Sequence, residues 1–365
     1  MHRISSPYFK DKLIAKNRLV ASAMTTMQSC SDGFVSEKEY LWLEKMAQGG
    51  FGTIITCASH VSKTGQSWEG QMAIYDDKYL PGLKKLANMI KSYTAIGLVQ
   101  LFHGGSRSPK SITGVQPSSA SEFHLPIADF ETPRELRVIE IEAIVKDFAS
   151  ATKRAYQAGF SGVEIHAANG YLFTQFISTT TNLRNDEYGG DLKGRSKLLL
   201  DVVRACRSCV PDDFIIGVKL SPLGDGLDVN EMIQIAAMIT KEGVDFINLS
   251  LVNVQMSLDS SNSDSKPLVS YVCQRLGSKV TLLSGGGIYT AKQAKQAIDL
   301  GLDFITLGRA AIGNPNWPNL VQENQNIDIP PYKEEDLQKI ISQEFLQYIK
   351  TQLPPGFTQT LIDNI

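Results

Sequence analysis

The sequence predicts a (β/α)8 barrel with long loops at the carboxyl face of its strands. Eight short apolar or β-branched runs recur along the 365 residues, and segments with helical periodicity lie between them. Apolar strands separated by helices are typical of a parallel sheet covered by helices. Eight such units favour a closed barrel over an open doubly wound sheet, whose first turn is usually glycine-rich. The first turn here, MTTMQSCSDG, has no GxGxxG motif.

The expected strands, in chain order, cover residues 18–24, 53–59, 96–102, 162–166, 214–221, 245–250, 280–285 and 303–308. Amphipathic segments lie between them, and several end near a glycine, as helices do. They cover residues 37–48, 81–93, 140–159, 229–243 and 290–301. A closing helix is expected at about residues 333–353, and no second core is visible, so residues 1–365 are predicted to form a single domain.

Three connections are too long to be simple turns, and they cover residues 104–133, 172–190 and 251–266. All three follow the carboxyl end of an expected strand, which is the face where barrel enzymes build their sites.

The composition excludes several classes of partner. The chain is 42% hydrophobic with a formal net charge of −2, which gives no basic footprint for nucleic acid or an anionic membrane. No apolar run reaches the ~18 residues that a membrane span requires. Small-molecule chemistry is the expectation, and assembly into a homo-oligomer stays open.

The cysteines indicate a reducing compartment. There are five, an odd number, and the first residues lack the apolar segment of a signal peptide. Both features favour a cytoplasmic setting. Cys206 and Cys209 form a CxxC in a basic, apolar-periodic segment, but no second pair follows. A buried helix face is therefore favoured over a metal or redox site, and no metal site is predicted.

Residues at the ends of the eight strands would surround one space in a barrel. The candidates are Ala23, Met24 and Thr25; Ala58; Gln100 and His103; His166, Asn169 and Tyr171; Lys219; Ser250; Gly285, Gly286 and Gly287; and Gly308 and Arg309. Barrels often bind a phosphate at the seventh and eighth ends, where SGGGI and LGRA stand here. Arg309 could close such a site with two hydrogen bonds. A tight turn is the alternative for the glycines.

Gln100 and Lys219 suit a heterocycle that gains negative charge. A glutamine side chain can donate and accept in one plane, and a lysine supplies a positive charge. Gln100 could instead be a satisfied polar residue at the barrel mouth. That alternative is harder to sustain for Lys219, because a lysine within an apolar strand is costly to bury without a partner.

His166, Asn169 and Tyr171 follow the fourth strand within six residues. The first two could both donate to one ligand oxygen, and Tyr171 could act as a general acid. His166 could instead only cap the strand while Tyr171 packs over the rim. These residues alone leave the choice open.

Taken together, these residues and the motifs around them closely resemble the old yellow enzyme family of FMN-dependent NAD(P)H oxidoreductases. The resemblance rests on the stretch at residues 162–190, GVEIHAANGYLFTQFISTTTNLRNDEYGG, and runs through KNRLVASAMT, VQLFHGGSRS, GVKLSP, SGGGI and DFITLGRAAIGNPNWP.

The resemblance implies a role for each matching residue. Ser22, Ala23, Met24 and Thr25 would lie against the flavin, and Ala58 and Gln100 would contact it. Lys219 would lie beside its electron-accepting edge, and Gly286, Gly287, Gly308 and Arg309 would hold its phosphate. His166 and Asn169 match the pair that binds the substrate carbonyl, and Tyr171 matches the proton donor.

Two positions depart from the family pattern. The family usually has proline where this chain has Ala23, and arginine where it has Lys219. A lysine keeps the charge but loses the planar fork, so flavin binding or potential is expected to differ. The segment at residues 182–190 resembles a structural turn, so Arg184 and Asp186 are expected to hold the loop that carries Tyr171.

The resemblance implies an ene-reductase. NADPH or NADH would reduce FMN, and an α,β-unsaturated carbonyl compound would then accept the hydride on its β-carbon. Dienoyl-CoA or N-methyl amine substrates, a flavin-binding barrel without turnover, and a phosphate-binding isomerase-type barrel without flavin remain alternatives.

Overall fold

The computed structural model describes residues 2–10, 12–126, 130–224, 226–258, 265–354 and 356–359. It confirms the expected barrel: eight parallel strands close on themselves, with Ile305 of the last strand paired with Leu19 of the first. Each strand overlaps one of the eight predicted runs. The strands are β1 (Leu19–Ala21), β2 (Thr53–His60), β3 (Ile96–Phe102), β4 (Gly162–Ala167), β5 (Ile215–Leu220), β6 (Phe246–Leu249), β7 (Thr281–Gly285) and β8 (Phe304–Leu307).

Helices connect the strands and cover the outside of the barrel. They are α1 (Glu37–Gln48), α2 (Leu80–Ser92), α3 (Val138–Ala158), α4 (Leu192–Ser208), α5 (Val229–Lys241), α6 (Leu268–Leu276), α7 (Ala291–Asp299), α8 (Arg309–Gly313) and α9 (Trp317–Gln322). Helix α1 matches its predicted range, and the Ser36 side chain caps it by accepting from the Glu39 N–H. Cys206 is buried on α4, which confirms the helix face expected for the CxxC segment.

The alternation along β4 decides which side chains enter the barrel. Val163 and Ile165 join the apolar layer between the strands and the helices. Successive strand residues point to opposite faces, so Glu164 and His166 face the interior. The amino-terminal half of that interior is apolar, and a hairpin of strands Tyr8–Lys10 and Leu13–Ala15 packs against it. Polar interior groups are therefore concentrated toward the carboxyl ends of the strands.

The prediction of one closing helix at about residues 333–353 is wrong, because the segment is broken. Two helices occupy the region, α10 (Glu334–Leu337) and α11 (Gln343–Gln352). The Ser342 hydroxyl caps α11 by accepting from the Phe345 N–H, and Lys45 Nζ binds the carbonyls of Lys339 and Ile340 at 2.9 Å. The Ser342 cap and the distant Lys45 stabilise the break between α10 and α11. The apolar periodicity on which the prediction rested reveals neither interaction.

The long connections are partly structured. The connection at residues 172–190 contains the helix Leu172–Ile177, and the one at 104–133 contains the helix Lys110–Thr113 and the strand Ser118–Ser119. The third connection, 251–266, lies partly outside the described residues. Among the described helices, none combines the length and apolar character needed to cross a membrane.

Candidate active site

A cavity opens at the carboxyl ends of the strands, between β1, β5 to β8 and the distant helix α11. It brings together eight of the eleven residues predicted to bind the cofactor. These are Ser22, Met24, Thr25, Lys219, Gly286, Gly287, Gly308 and Arg309. The other three lie on nearby strand ends. Ala23 packs against the interior cluster, and Ala58 of β2 pairs with Gln100 of β3.

The glycine-rich end of the cavity fits a phosphate. Gly286 and Gly287 have positive φ values of 111° and 65°, and a Cβ on Gly286 would meet the Leu251 carbonyl oxygen at 2.4 Å. Glycine is therefore required at Gly286 on both conformational and steric grounds. A Cβ on Gly308 would be in ordinary van der Waals contact with Met24 at 3.7 Å, so Gly308 is not required there on steric grounds. Arg309 stands beside this backbone, and its guanidinium donates to the Val252 carbonyl at 2.9 Å.

A buried polar network lies beneath the cavity. Glu164 is fully buried; its Oε1 accepts from Gln100 Nε2 and its Oε2 accepts from Asn248 Nδ2, both at 2.7 Å. Burial raises the pKa of Glu164, while the Lys219 ammonium and the two amides oppose that rise. Burial lowers the pKa of Lys219, and Glu164 opposes that shift. Two amide donors and the opposite charge of Lys219 thus offset part of the cost of burying Glu164.

Sequence reasoning missed Glu164 and Asn248. The signal was present: an acidic residue inside GVEIH is as costly to bury alone as the lysine inside GVKL. A buried lysine and a buried glutamate on neighbouring strands each need an opposite charge, so this cost predicts that Lys219 and Glu164 attract each other inside the barrel.

His166 is a neutral hydrogen-bond donor in this structure. Its Nδ1 accepts from the Ala168 backbone N–H at 3.3 Å, so the single proton of the neutral ring resides on Nε2. Burial, together with the nearby Lys219 charge, lowers the pKa of His166 well below its usual value. The ring therefore stays uncharged at neutral pH and presents Nε2–H.

Asn169 is also prepared to donate. Its backbone is left-handed with φ of 62°, a conformation that asparagine tolerates better than most residues. Its Oδ1 accepts from Ser250 Oγ at 3.0 Å, and its backbone N–H donates to Ser221 Oγ at 2.9 Å. No acceptor within the described part of the chain takes the Nδ2 hydrogens, so the amide offers them to a ligand.

Tyr171 completes the trio. Its ring centroid lies 5.1 Å from that of His166 and 4.5 Å from that of Phe102. The Arg107 guanidinium lies 4.7 Å above the Tyr171 ring and donates to the Asn169 carbonyl at 2.9 Å. Burial raises the pKa of Tyr171, and Arg107 partly opposes that rise. Sequence reasoning did not single out Arg107.

Helix α11 supplies a wall of the cavity that sequence reasoning also missed. Phe345, Tyr348 and Ile349 line it together with the glycine-rich end. Phe345 is buried against Trp42 of α1 with ring centroids 5.5 Å apart, which anchors α11 to the barrel. No local sequence pattern in α11 predicts that this helix lines the cavity.

The closed barrel and its site at the carboxyl face define the chain as a (β/α)8 enzyme. The model of the NADH:flavin oxidoreductase / NADH oxidase family matches residues 8–328, and the chain belongs to that family. It is an NAD(P)H-dependent FMN oxidoreductase of the old yellow enzyme type, with NADH or NADPH as reductant.

Individual relatives agree with this placement. The chain is 33% identical over 332 residues to the probable NADH-dependent flavin oxidoreductase YqiG of Bacillus subtilis (strain 168), covering 88% of each. It is 31% identical over 330 residues to the NADPH dehydrogenase of Geobacillus thermodenitrificans (strain NG80-2), covering 89% of this chain and 95% of the relative. Two other relatives that it matches are longer, and the alignments span 35% and 32% of them.

Among solved structures, the old yellow enzyme homologue from Zymomonas mobilis superimposes with a TM-score of 0.79. The two sequences are 28% identical, and the superposition covers 94% of this chain and 99% of the homologue.

Proposed function

We propose that this chain is an ene-reductase, which uses NAD(P)H to reduce the activated C=C bond of α,β-unsaturated carbonyl compounds. The observation that carries the proposal is that His166 Nε2–H and Asn169 Nδ2–H have no acceptor among the described residues, and that the Tyr171 ring centroid lies 5.1 Å from that of His166. Two donors and an acid are what a carbonyl that becomes an enolate requires.

The cofactor site is assigned to the cavity residues. Gly286, Gly287, Gly308 and Arg309 would hold the FMN phosphate, and Ser22 to Thr25 with Ala58 would border the ring. Gln100 and Lys219 would face its polar edge. When bound, FMN accepts hydride from NAD(P)H at N5 and supplies it to the substrate.

His166 and Asn169 would bind the substrate carbonyl oxygen. Both are held in donor form before any ligand arrives, His166 by the Ala168 N–H and Asn169 by the Ser250 hydroxyl. Donors fixed in this way stabilise the developing negative charge with little reorganisation. Loss of one such donor raises the barrier by about 3 kcal/mol.

Tyr171 would protonate the substrate α-carbon. Burial raises its pKa, so the phenol keeps its proton at neutral pH and can donate to a strongly basic carbanion. Arg107 over the ring favours the phenolate that remains after transfer.

The test separates the two half-reactions. Tyr171→Phe should leave anaerobic flavin reduction by NADPH or NADH nearly intact and slow reoxidation by cyclohexenone about a hundredfold or more. Stopped-flow absorbance of the flavin measures both rates. Tyr156→Phe, an exposed tyrosine on α3, is the control and should change neither rate. Equal slowing of both halves would remove the proton-donor role.

The same anaerobic cycle tests the alternatives. Reoxidation by a dienoyl-CoA in place of cyclohexenone would assign a different electron acceptor. Bleaching of the oxidised flavin by an N-methyl amine, which is itself oxidised as the flavin is reduced, would assign a demethylase substrate instead. We propose a reducing cytoplasmic setting, which the five free thiols support.

A further inference from the structure

A carboxylate lies inside the barrel where the proposed chemistry assigns it no part. Glu164 has no exposed surface, and both of its oxygens accept from side-chain amides at 2.7 Å, one from Gln100 and one from Asn248. Two N–H donors satisfy an ionised carboxylate, which only accepts. Burial of this charge is costly, so its retention needs a compensating interaction.

Glu164 determines what Gln100 can offer to a ligand. The Gln100 amide nitrogen is engaged by Glu164, and no donor among the described residues is bonded to its carbonyl oxygen. The end of Gln100 that stays free for a ligand is therefore Oε1, an acceptor. Without the carboxylate, the amide could rotate and present either end.

Glu164 also acts on the cation of the site. Lys219 lines the cavity and is one strand away from Glu164, with β4 and β5 paired at Glu164 and Gly217 and at His166 and Lys219. The two residues attract each other electrostatically inside the protein. A carboxylate at this place offsets part of the positive potential that Lys219 creates in the cavity.

We propose that Glu164 is a positioning residue for the flavin, which orients the Gln100 carbonyl toward the ring and offsets part of the Lys219 charge. Its consequence is a midpoint potential lower than Lys219 alone would produce, because a negative charge nearby disfavours the electron-rich reduced ring. The inference rests on the proposed assignment of Gln100 and Lys219 to the flavin ring.

The experiment measures the two-electron midpoint potential of the FMN-loaded protein against a reference dye. Glu164→Gln should shift the equilibrium toward reduced flavin about tenfold, which is about 30 mV for a two-electron couple. Lys219→Met should shift it in the opposite direction. Glu39→Gln is the matched control, because Glu39 is equally buried but lies on α1 and is bonded by Thr26.

The outcomes distinguish the role of Glu164 from the assignment of Gln100 and Lys219 to the flavin ring. Opposite shifts in Glu164→Gln and Lys219→Met, with the control unchanged, support the inference. A shift in Lys219→Met alone overturns the role of Glu164 and leaves the flavin assignment standing. No shift in either variant overturns both. Neither reading depends on which substrate reoxidises the flavin.

A second variant covers failure of Glu164→Gln to fold. Asn248→Ala removes one of the two amide donors, so the carboxylate of Glu164 takes up a proton more readily and loses its charge. The midpoint potential should rise as in Glu164→Gln, by a smaller amount, and the rise should shrink as the pH increases. A midpoint potential of Asn248→Ala that equals that of the parent at every pH would contradict the inference.

Discussion

At the scale of single residues, the site depends on side chains that are committed to protein partners on one end and free on the other. Asn169 is the clearest case. Ser250 Oγ donates to its side-chain carbonyl oxygen at 3.0 Å, and its backbone is left-handed with φ of 62°. An amide without that partner could present either end to a substrate oxygen.

Ser250→Ala should therefore lower kcat/KM for cyclohexenone about fivefold, the effect of losing one hydrogen bond of roughly 1 kcal/mol. Because Ser250 acts through Asn169, the double variant Asn169→Ala/Ser250→Ala should be no slower than Asn169→Ala alone. Steady-state kinetics with saturating NADPH measure both. Ser208→Ala, at the end of α4, is the control. Losses that simply add would mean that the two residues act independently.

The positions of the site residues could be predicted from the sequence, and their orientations could not. His166, Asn169, Tyr171, Gln100 and Lys219 could be singled out because a closed barrel forces the ends of its strands to converge. Their protonation and orientation could not be inferred. These depend on partners such as the Ala168 N–H, the Ser250 hydroxyl and the Arg107 guanidinium, whose directions are set by loop backbone geometry.

At the scale of elements, the loop after β4 is held by a buried arginine. The Arg184 side chain is 2% exposed and forms an ion pair with Asp186. It also donates to the carbonyls of Ala120 and Leu136, at 2.8 and 2.6 Å. Asn182 bonds the carbonyls of Phe176 and Tyr188 in the same turn. The structure thus joins the long loops after β3 and β4, as expected of a segment that anchors Tyr171.

Arg184→Ala should destabilise the protein by about 3 kcal/mol, because two buried carbonyls and a carboxylate lose their donor at once. The matched control is Arg204→Ala. Arg204 pairs with Asp201 and Glu242 at a side-chain exposure of 52%, and its loss should cost less than about 1 kcal/mol. Thermal melts of FMN-loaded proteins compare the two. Equal melting temperatures would contradict the anchoring role.

At the scale of the whole molecule, buried histidines make stability depend on pH. Burial lowers the pKa of His60 to about 4 and that of His103 to about 3. The unfolded chain titrates near 6.5, so below that pH it binds protons that the folded chain does not. Stability contributed by each ring is present above about pH 6.5 and is lost as the pH falls toward 4. Asp147, whose pKa burial raises to about 6, opposes part of this loss.

Melting temperature should therefore fall between pH 7 and pH 5, with each of these two rings costing about 2 kcal/mol at the lower pH. His103→Gln should reduce this fall in melting temperature, whatever the substitution does to the melting temperature at pH 7. His124→Gln, which changes an exposed histidine, should leave the fall as it is in the parent. The same pH dependence in parent and His103→Gln would exclude His103 as a cause.

The sequence by itself determined the barrel, the positions of its eight strands and the shell of residues at their ends. Strand periodicity and apolar composition are local properties, and closure brings strand ends together whatever the side chains are. Only the tertiary structure decided that Glu164 bonds Gln100 and Asn248 and attracts Lys219, that Arg107 covers Tyr171, and that α11 lines the cavity. Those contacts join residues far apart in the chain, and they depend on which side chains face inward and where a distant helix packs. No local sequence pattern encodes which side chains face inward or where the distant helix packs.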